Sequence, residues 1–241
     1  MKKLLTAIGF LFIFAQTSIV HATPSTQIWI PSTDIQEKGV VHFGADTYNT
    51  LGKDPADPDP TNAGYSVINY GLTVGAFSTE TIGLEVGIDW REVSDNTTYY
   101  NAKFGIDEGA MFDGSPSFAL GGYEFGTKSD ATDYNILYGL AAKTFGDFGR
   151  ISAGFYSGND KLLVDKNGKK DATGVLASFD RSFGDKFWGA IDYMGGENAY
   201  GALSFGLSYA LSDKSSFILG YDTYNNSDIP STMTFQLDVN F

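Results

Sequence analysis

The chain has 241 residues, 42% hydrophobic, 19% charged and 15% aromatic, with 29 Gly and no Cys. Without cysteine there is neither a disulfide framework nor a thiolate metal site, and so many aromatic rings argue against intrinsic disorder. Sixteen Lys plus Arg stand against 29 Asp plus Glu, and the net charge of −13 disfavours a nucleic-acid partner.

Lys2 and Lys3 precede an apolar run, 4–15, and Val20-His21-Ala22 offers a small-residue cleavage site. Residues 1–22 therefore read as a secretory signal peptide cleaved after Ala22, its apolar core being short for a spanning helix. A non-cleaved anchor is the alternative. The next segment, 23–38, carries Pro24 and Pro31, which interrupt ladder pairing, yet Ile28, Trp29 and Ile30 are too apolar for a free tail. It is expected to tuck into a lumen, lie at a rim, or add a short strand.

From residue 39 to 241 the sequence alternates with period two, which argues strands with two unlike faces. The segments run over 39–49, 65–77, 82–91, 98–107, 117–126, 133–145, 149–157, 171–183, 187–195, 199–210, 215–224 and 231–241. The last shows the pattern best: Met233, Phe235, Leu237, Val239 and Phe241 alternate with Thr234, Gln236, Asp238 and Asn240. The segment 117–126, with Phe118, Leu120, Tyr123 and Phe125, resists orientation. Arg181 falls on the lipid-facing parity, which implies either a bulge in its strand or a side chain that snorkels to the interface. Every second connection is long or polar (50–64, 92–97, 127–132, 158–170, 225–230), and most of those between are tight; 108–116 and 196–198 depart from their classes.

Strands of about nine to eleven residues are the length that crosses a bilayer with tilt. Hydrocarbon leaves open sheet edges unsatisfied, so such a sheet has to close. The expected fold is an all-β, closed, antiparallel up-and-down transmembrane barrel of about twelve strands over 39–241, long loops at one end and short turns at the other. A secreted β-sandwich also alternates, but it needs outward charges where this chain has Gly, Ala and Ser, and it gives no reason for alternating loop lengths. Tyr99, Tyr100, Tyr134, Phe145, Phe183, Phe187 and Tyr224 are candidates for interfacial girdles.

With its terminal Phe241 and apolar residues at Val239, Leu237, Phe235 and Met233, the last strand resembles the C-terminal insertion signal of bacterial outer-membrane β-barrel proteins, porin-like members included. That resemblance implies a Gram-negative outer-membrane location. It also implies lipid, lipopolysaccharide and the barrel-insertion machinery as partners. It implies a particular activity only weakly, because one fold hosts many.

Taking lipid-facing parity strand by strand, the inward charged set is His42, Asp46, Glu85, Asp89, Arg91, Lys103, Asp107, Lys143, Asp180, Asp192, Asp222 and Asp238, with Asn69, Asn101 and Gln236 beside them. Charges at membrane depth need water or each other. The functional reading is a hydrated, cation-favouring channel for ions or small hydrophilic solutes. The competing reading is a plugged, non-conducting barrel acting through its extracellular loops, with Glu85, Lys103, Asp89 and Arg91 pairing internally. Inward Gly71, Gly83, Gly87, Gly105, Gly206 and Gly220 leave space, whatever fills it.

No cofactor, metal site or catalytic set is expected, since only His42 remains as a base after cleavage and it lies too far along its strand from Asp46 for direct contact. Replacing His42 is expected to leave a pore working and to abolish a His-based hydrolase. Asp54, Asp57 and Asp59 on the first long loop read as a solvated acidic tip, with divalent cations as the sharper alternative. Asn167-Gly168 reads as a type I′ hairpin turn, flanked by Lys161, Lys166, Lys169 and Lys170, which are candidates for anionic sugar or phosphate contacts.

Overall fold

Twelve antiparallel strands close on themselves in a computed structural model that describes residues 25–51, 66–92 and 98–241. The signal peptide, Pro24 and the acidic loop 54–60 lie outside the described residues. In chain order the strands are β1 (Val41–Thr50), β2 (Ser66–Ser78), β3 (Ile82–Arg91), β4 (Thr98–Ile106), β5 (Ser117–Gly126), β6 (Asp133–Thr144), β7 (Arg150–Ser157), β8 (Thr173–Phe183), β9 (Phe187–Met194), β10 (Ala202–Ser212), β11 (Ser215–Tyr224) and β12 (Thr232–Asn240). A single 3-10 turn, Gly146–Phe148, joins β6 to β7. Each strand pairs with its sequence neighbours, and β1 meets β12 in unbroken register from His42 opposite Asn240 to Thr50 opposite Thr232.

Period two sorts the side chains. Leu120, Leu137, Phe155, Ile191, Phe205, Leu207, Phe235 and Leu237 face outward and exposed, a continuous apolar belt that suits hydrocarbon and not water. The opposite parity carries Thr73, Glu85, Lys103, Ser152, Asp180, Asp192, Ser204, Thr234 and Asp238, all buried. Polar inside and apolar outside is the reverse of a soluble domain.

The resistance of residues 117–126 to orientation has a structural cause. Pairing of β5 with β6 slips between Tyr123 and Phe125, and Glu124 sits at φ 58, a β-bulge that lets two successive residues face one way. Phe118 and Leu120 face lipid, Tyr123 packs inward against the Tyr138 ring, and Glu124 follows it inward. Phe125, on the outward side, lies where a side chain on Gly122 would be. Parity changes within the strand, so no single alternation fits it.

Residues 25–38 enter the barrel. They form a hairpin, with Thr26 bridging Pro31 and the Gln27 N–H donating to the Ile30 carbonyl at 2.8 Å. Gln27, Ile28, Ile30, Ser32, Thr33 and Gln36 are all at most 4% exposed. Four of the six inward glycines provide its seat. A Cβ on Gly83 would meet Ile35 at 2.7 Å, one on Gly105 would meet Ile35 at 2.5 Å, and Ile28 lies 2.7 and 3.0 Å from the corresponding points on Gly206 and Gly220. The space these glycines leave is thus filled by the chain's own plug.

Three of the aromatic expectations change. Tyr100, Phe145, Phe183 and Phe187 do face outward near strand ends, but Tyr99 is 4% exposed beneath Arg91. Tyr134 and Tyr224 point inward, each packed on the lumen aromatics. Arg181 holds the lipid-facing parity opposite Gly189, its guanidinium 5.0 Å over the Phe183 ring near the short-turn end, so it reaches the interface along an aromatic face. At Asp165–Lys169, only Gly168 has positive φ, at 72°, while Asn167 does not. The turn is therefore a type I turn closed by a left-handed glycine and not type I′.

At Gly75 an added Cβ would lie 2.0 Å from the Glu37 carbonyl oxygen. Gly75→Val should unseat the plug's exit and lower stability by about 1–3 kcal/mol. The check is a lower temperature for loss of the compact, heat-modifiable gel band.

Candidate functional site: the lumen

The plug divides the interior into unlike halves. On the β5–β9 side, Ile30 packs with Ile136, Tyr138, Leu140, Tyr156, Leu176 and Met194. The long hairpin between β7 and β8 adds Leu163, 0% exposed, to that cluster, so the 158–172 connection folds over this half. Lys161 and Lys170 on the same hairpin pair with Asp130 and Asp160 at 2.9 and 2.7 Å, and Lys166 Nζ donates to Ser227. On the side of β1–β4 and β12, polar side chains surround a cavity of about 810 Å³.

Acids hold the plug in place. Asp192 accepts the backbone N–H groups of Ile28 and Trp29 at 2.8 and 3.0 Å, and it is 1% exposed. Two N–H donors converging on one buried carboxylate hold the hairpin tip by charge-assisted bonds. Asp180 accepts from Gln27 Nε2 at 3.1 Å, from Trp188 Nε1 at 3.1 Å and from Arg150 Nε at 3.0 Å. Arg150 reaches on to Asp34 at 2.6 Å. Glu85 accepts from Ser25 Oγ and the Gln36 N–H, both at 2.8 Å, and pairs with Lys103 at 3.2 Å. Gln236 Nε2 donates to the Ile28 carbonyl at 2.8 Å. Asp180, Asp192 and Glu85 were expected on the lumen wall, and the structure brings all three against residues 25–38.

The remaining expected residues fall into three groups. His42, Asp46, Asp89, Arg91, Lys103 and Asp238 line the cavity with Glu85. His42 Nε2 lies 3.3 Å from Asp238 Oδ1, and its Nδ1 lies 2.8 Å from Asn240 Oδ1. Arg91 does not pair with Asp89. It pairs with Glu124 across β4, while Asn69 and Asn101 donate to Asp89 at 3.3 and 2.6 Å. Asp222 is buried away from the cavity lining and accepts from Thr232 Oγ1 at 2.8 Å.

Lys143 and Asp107 lie elsewhere. Ala142 carries the inward parity of β6 opposite Ser117, which puts Lys143 on the outward side, where it pairs with Glu108 at 2.8 Å at the short-turn rim. Burial alone would raise the Glu108 carboxyl, but Lys143 and the Thr144 N–H hold it below its ordinary value. Asp107 is exposed in the turn after β4. The causes differ. Asp107 has left β4, whereas Lys143 is still paired, opposite Ile151, and faces outward because the more apolar parity of β6, with Ile136, Tyr138 and Leu140, packs inward against Ile30.

Sequence reasoning missed four contributors. Trp29 sits edge-on to Tyr48 and Tyr224, centroids 5.3 and 5.7 Å apart, and donates from Nε1 to the Tyr200 carbonyl at 2.8 Å. Tyr200 folds in from the β9–β10 connection against Tyr134. Burial, reinforced by Glu124, pushes its hydroxyl well above the ordinary tyrosine value, so it stays a neutral phenol. Arg150 opens β7 on the inward parity it shares with Ser152, opposite Asp180. Glu124 is inward only because of the bulge.

Comparison with known proteins yields structures but no sequence family. No family model and no curated protein matches the chain. Among solved structures it is similar to a KdgM porin at 9% identity, over 84% of this chain and 99% of that one, with a TM-score of 0.52. A KdgM porin in complex with disordered oligogalacturonate matches at 8% identity over 84% and 98%, TM-score 0.52. A NanC porin matches at 11% identity over 83% and 98%, TM-score 0.48. At such identities the likeness establishes the fold, that of the outer-membrane porin barrels.

Asp192→Ala removes the acceptor of two plug N–H groups, each bond being worth about 1.5–3 kcal/mol when the acceptor is charged. Backbone amide exchange at Ile28 and Trp29 should accelerate by at least about tenfold, with β3 and β11 amides unchanged, as read by hydrogen-exchange mass spectrometry.

Proposed function

We propose that this chain is an outer-membrane, porin-like channel through which ions or small hydrophilic solutes, cations by preference, diffuse passively. The observation that carries the reading is the polar cavity. Its lining runs from Ser66 and Glu92 at the long-loop end to His42, Thr73 and Lys103 deep in the barrel. The apolar outward belt and the porin fold support the membrane setting. The cation preference rests on charge: His42, Arg91 and Lys103 each have an acid partner, whereas Asp46 and Asp89 have no ion-pair partner among the described residues. Export by a signal peptide cleaved after Ala22, and insertion guided by Phe235, Leu237, Val239 and Phe241, belong to the same proposal, as do lipopolysaccharide contacts around the outward face.

A second reading is favoured by the plug. Residues 35–37 lie over Gly75, Gly83 and Gly105, at the short-turn end below the cavity, where a non-conducting barrel would be sealed. The two readings part in planar bilayers. Refolded protein is expected to give small, discrete, cation-selective steps, and deletion of residues 25–36 is expected to enlarge them several-fold as the floor is removed. A folded barrel that stays silent until the deletion is made would establish the sealed reading.

A further inference from the structure

The outward face of β8–β12 departs from a plain apolar belt at one place. Two rows of outward residues cross these strands side by side. One row is Phe179, Ile191, Phe205, Tyr221 and Met233 in cross-strand register, and the other is Arg181, Gly189, Leu207 and Leu219. Together they line a groove of about 600 Å³. Gly189 makes a notch in it, because an added Cβ there would meet nothing nearer than the edge of the Phe183 ring at 3.2 Å. Gly206 and Gly220 border the groove from outside, while Ile28 of the plug packs on the same two glycines from inside. The wall there is one backbone thick, which gives the groove its depth.

Its course suits a lipid. Arg181 stands two residues before the short-turn end of β8, whereas Met233 is the second residue of β12, just past the long connection 225–231. Followed from strand to strand, the groove therefore climbs from the short-turn interface into the depth of the hydrocarbon. At its foot the Arg181 guanidinium lies 5.0 Å over the Phe183 ring. Its Nε is buried, which leaves the two terminal nitrogens for a ligand. Lys186, exposed in the turn after β8, lies 5.7 Å over the outward Tyr209 ring. Neither cation has an acid partner among the described residues, although Asp185 and Asp213 stand in the neighbouring turns.

A cation on the lipid-facing parity is costly within hydrocarbon and is stabilised where it meets an anion at the interface. Water would satisfy a side chain at the rim, but it gives no reason for an apolar groove that begins beside it. A guanidinium grips phosphate with paired N–H donors, and a second unpaired cation favours a headgroup with net negative charge. Leucine, isoleucine and aromatic rings then suit the hydrocarbon chain attached to it. Resting on the membrane setting of the proposed function and not on conduction, we propose that this groove is a site for one anionic phospholipid of the leaflet at the short-turn end. Its phosphate lies between Arg181 and Lys186, and one acyl chain follows the groove over Gly189 toward Met233.

Native mass spectrometry of the refolded full chain in neutral detergent, with phosphatidylglycerol and phosphatidylcholine of identical chains, tests this. One phosphatidylglycerol per barrel is expected, retained at least about fivefold over phosphatidylcholine. Inorganic phosphate, which has no chain to seat, should not displace it. Arg181→Gln should lower retention to the level of phosphatidylcholine. Gly189→Leu, which keeps both cations and fills the notch, should weaken it about threefold. Equal retention of the two lipids, displacement by inorganic phosphate, or unchanged retention in either variant would overturn the site. So would paired barrels free of lipid, which would give this face to a second copy of the chain. Retention by a barrel that is silent in bilayers would remove the channel and keep the site, and conductance without retention would do the reverse. A chain that does not enter phosphatidylcholine vesicles would remove the membrane setting and the site together.

Discussion

A strand in hydrocarbon has no water to complete its backbone hydrogen bonds, and the β1–β12 ladder is what removes the last open edge. Everything else depends on that closure. Once the sheet is a cylinder, alternate residues are divided absolutely between lipid and lumen. A polar side chain on the inner parity is then separated from bulk water by the barrel wall. The lumen charges must therefore find partners within the barrel, and much of the architecture of the interior is the way they do so.

They do it asymmetrically. On one side, acids accept hydrogen bonds from the plug: Asp192 from two backbone amides, Asp180 from Gln27 beside Arg150, Glu85 from Ser25 and Gln36 beside Lys103. A peptide segment is a dense source of N–H groups, so one hairpin satisfies several carboxylates at once. On the other side, His42, Arg91 and Lys103 answer Asp238, Glu124 and Glu85, and the wall is left with Asp46 and Asp89 supported by amides alone. The plug therefore both fills half of the lumen and defines the other half as an acidic, aromatic-walled cavity.

Glycine carries a second lesson about small side chains in barrels. Read as a sequence, inward glycines mean open space. In the fold, Gly83, Gly105, Gly206 and Gly220 are occupied by Ile35 and Ile28, whereas Gly44 and Gly71 border the cavity. The residue type is the same, and the difference is which segment lies over it. An absent side chain grants room without saying who uses it.

Much of the architecture was legible because it rests on local rules. The period of two, the strand lengths and the alternating connections are properties of short windows, and closure follows from the solvent. Even the C-terminal strand's face, Phe235 and Leu237 outward with Gln236 and Asp238 inward, can be read in nine residues. What only the tertiary structure decided were facts about partners distant in sequence. Arg91 chose Glu124 over Asp89 because a bulge in β5 turned Glu124 inward. Lys143 faces outward to Glu108 because the apolar parity of β6 turned inward to pack against the plug's Ile30. Residues 25–38 took the lumen because their backbone amides and isoleucines fit acids and glycines remote in sequence, Asp192 lying 164 positions from Ile28. Alternation assigns a face, but it carries no information about which side chain across the barrel will meet it.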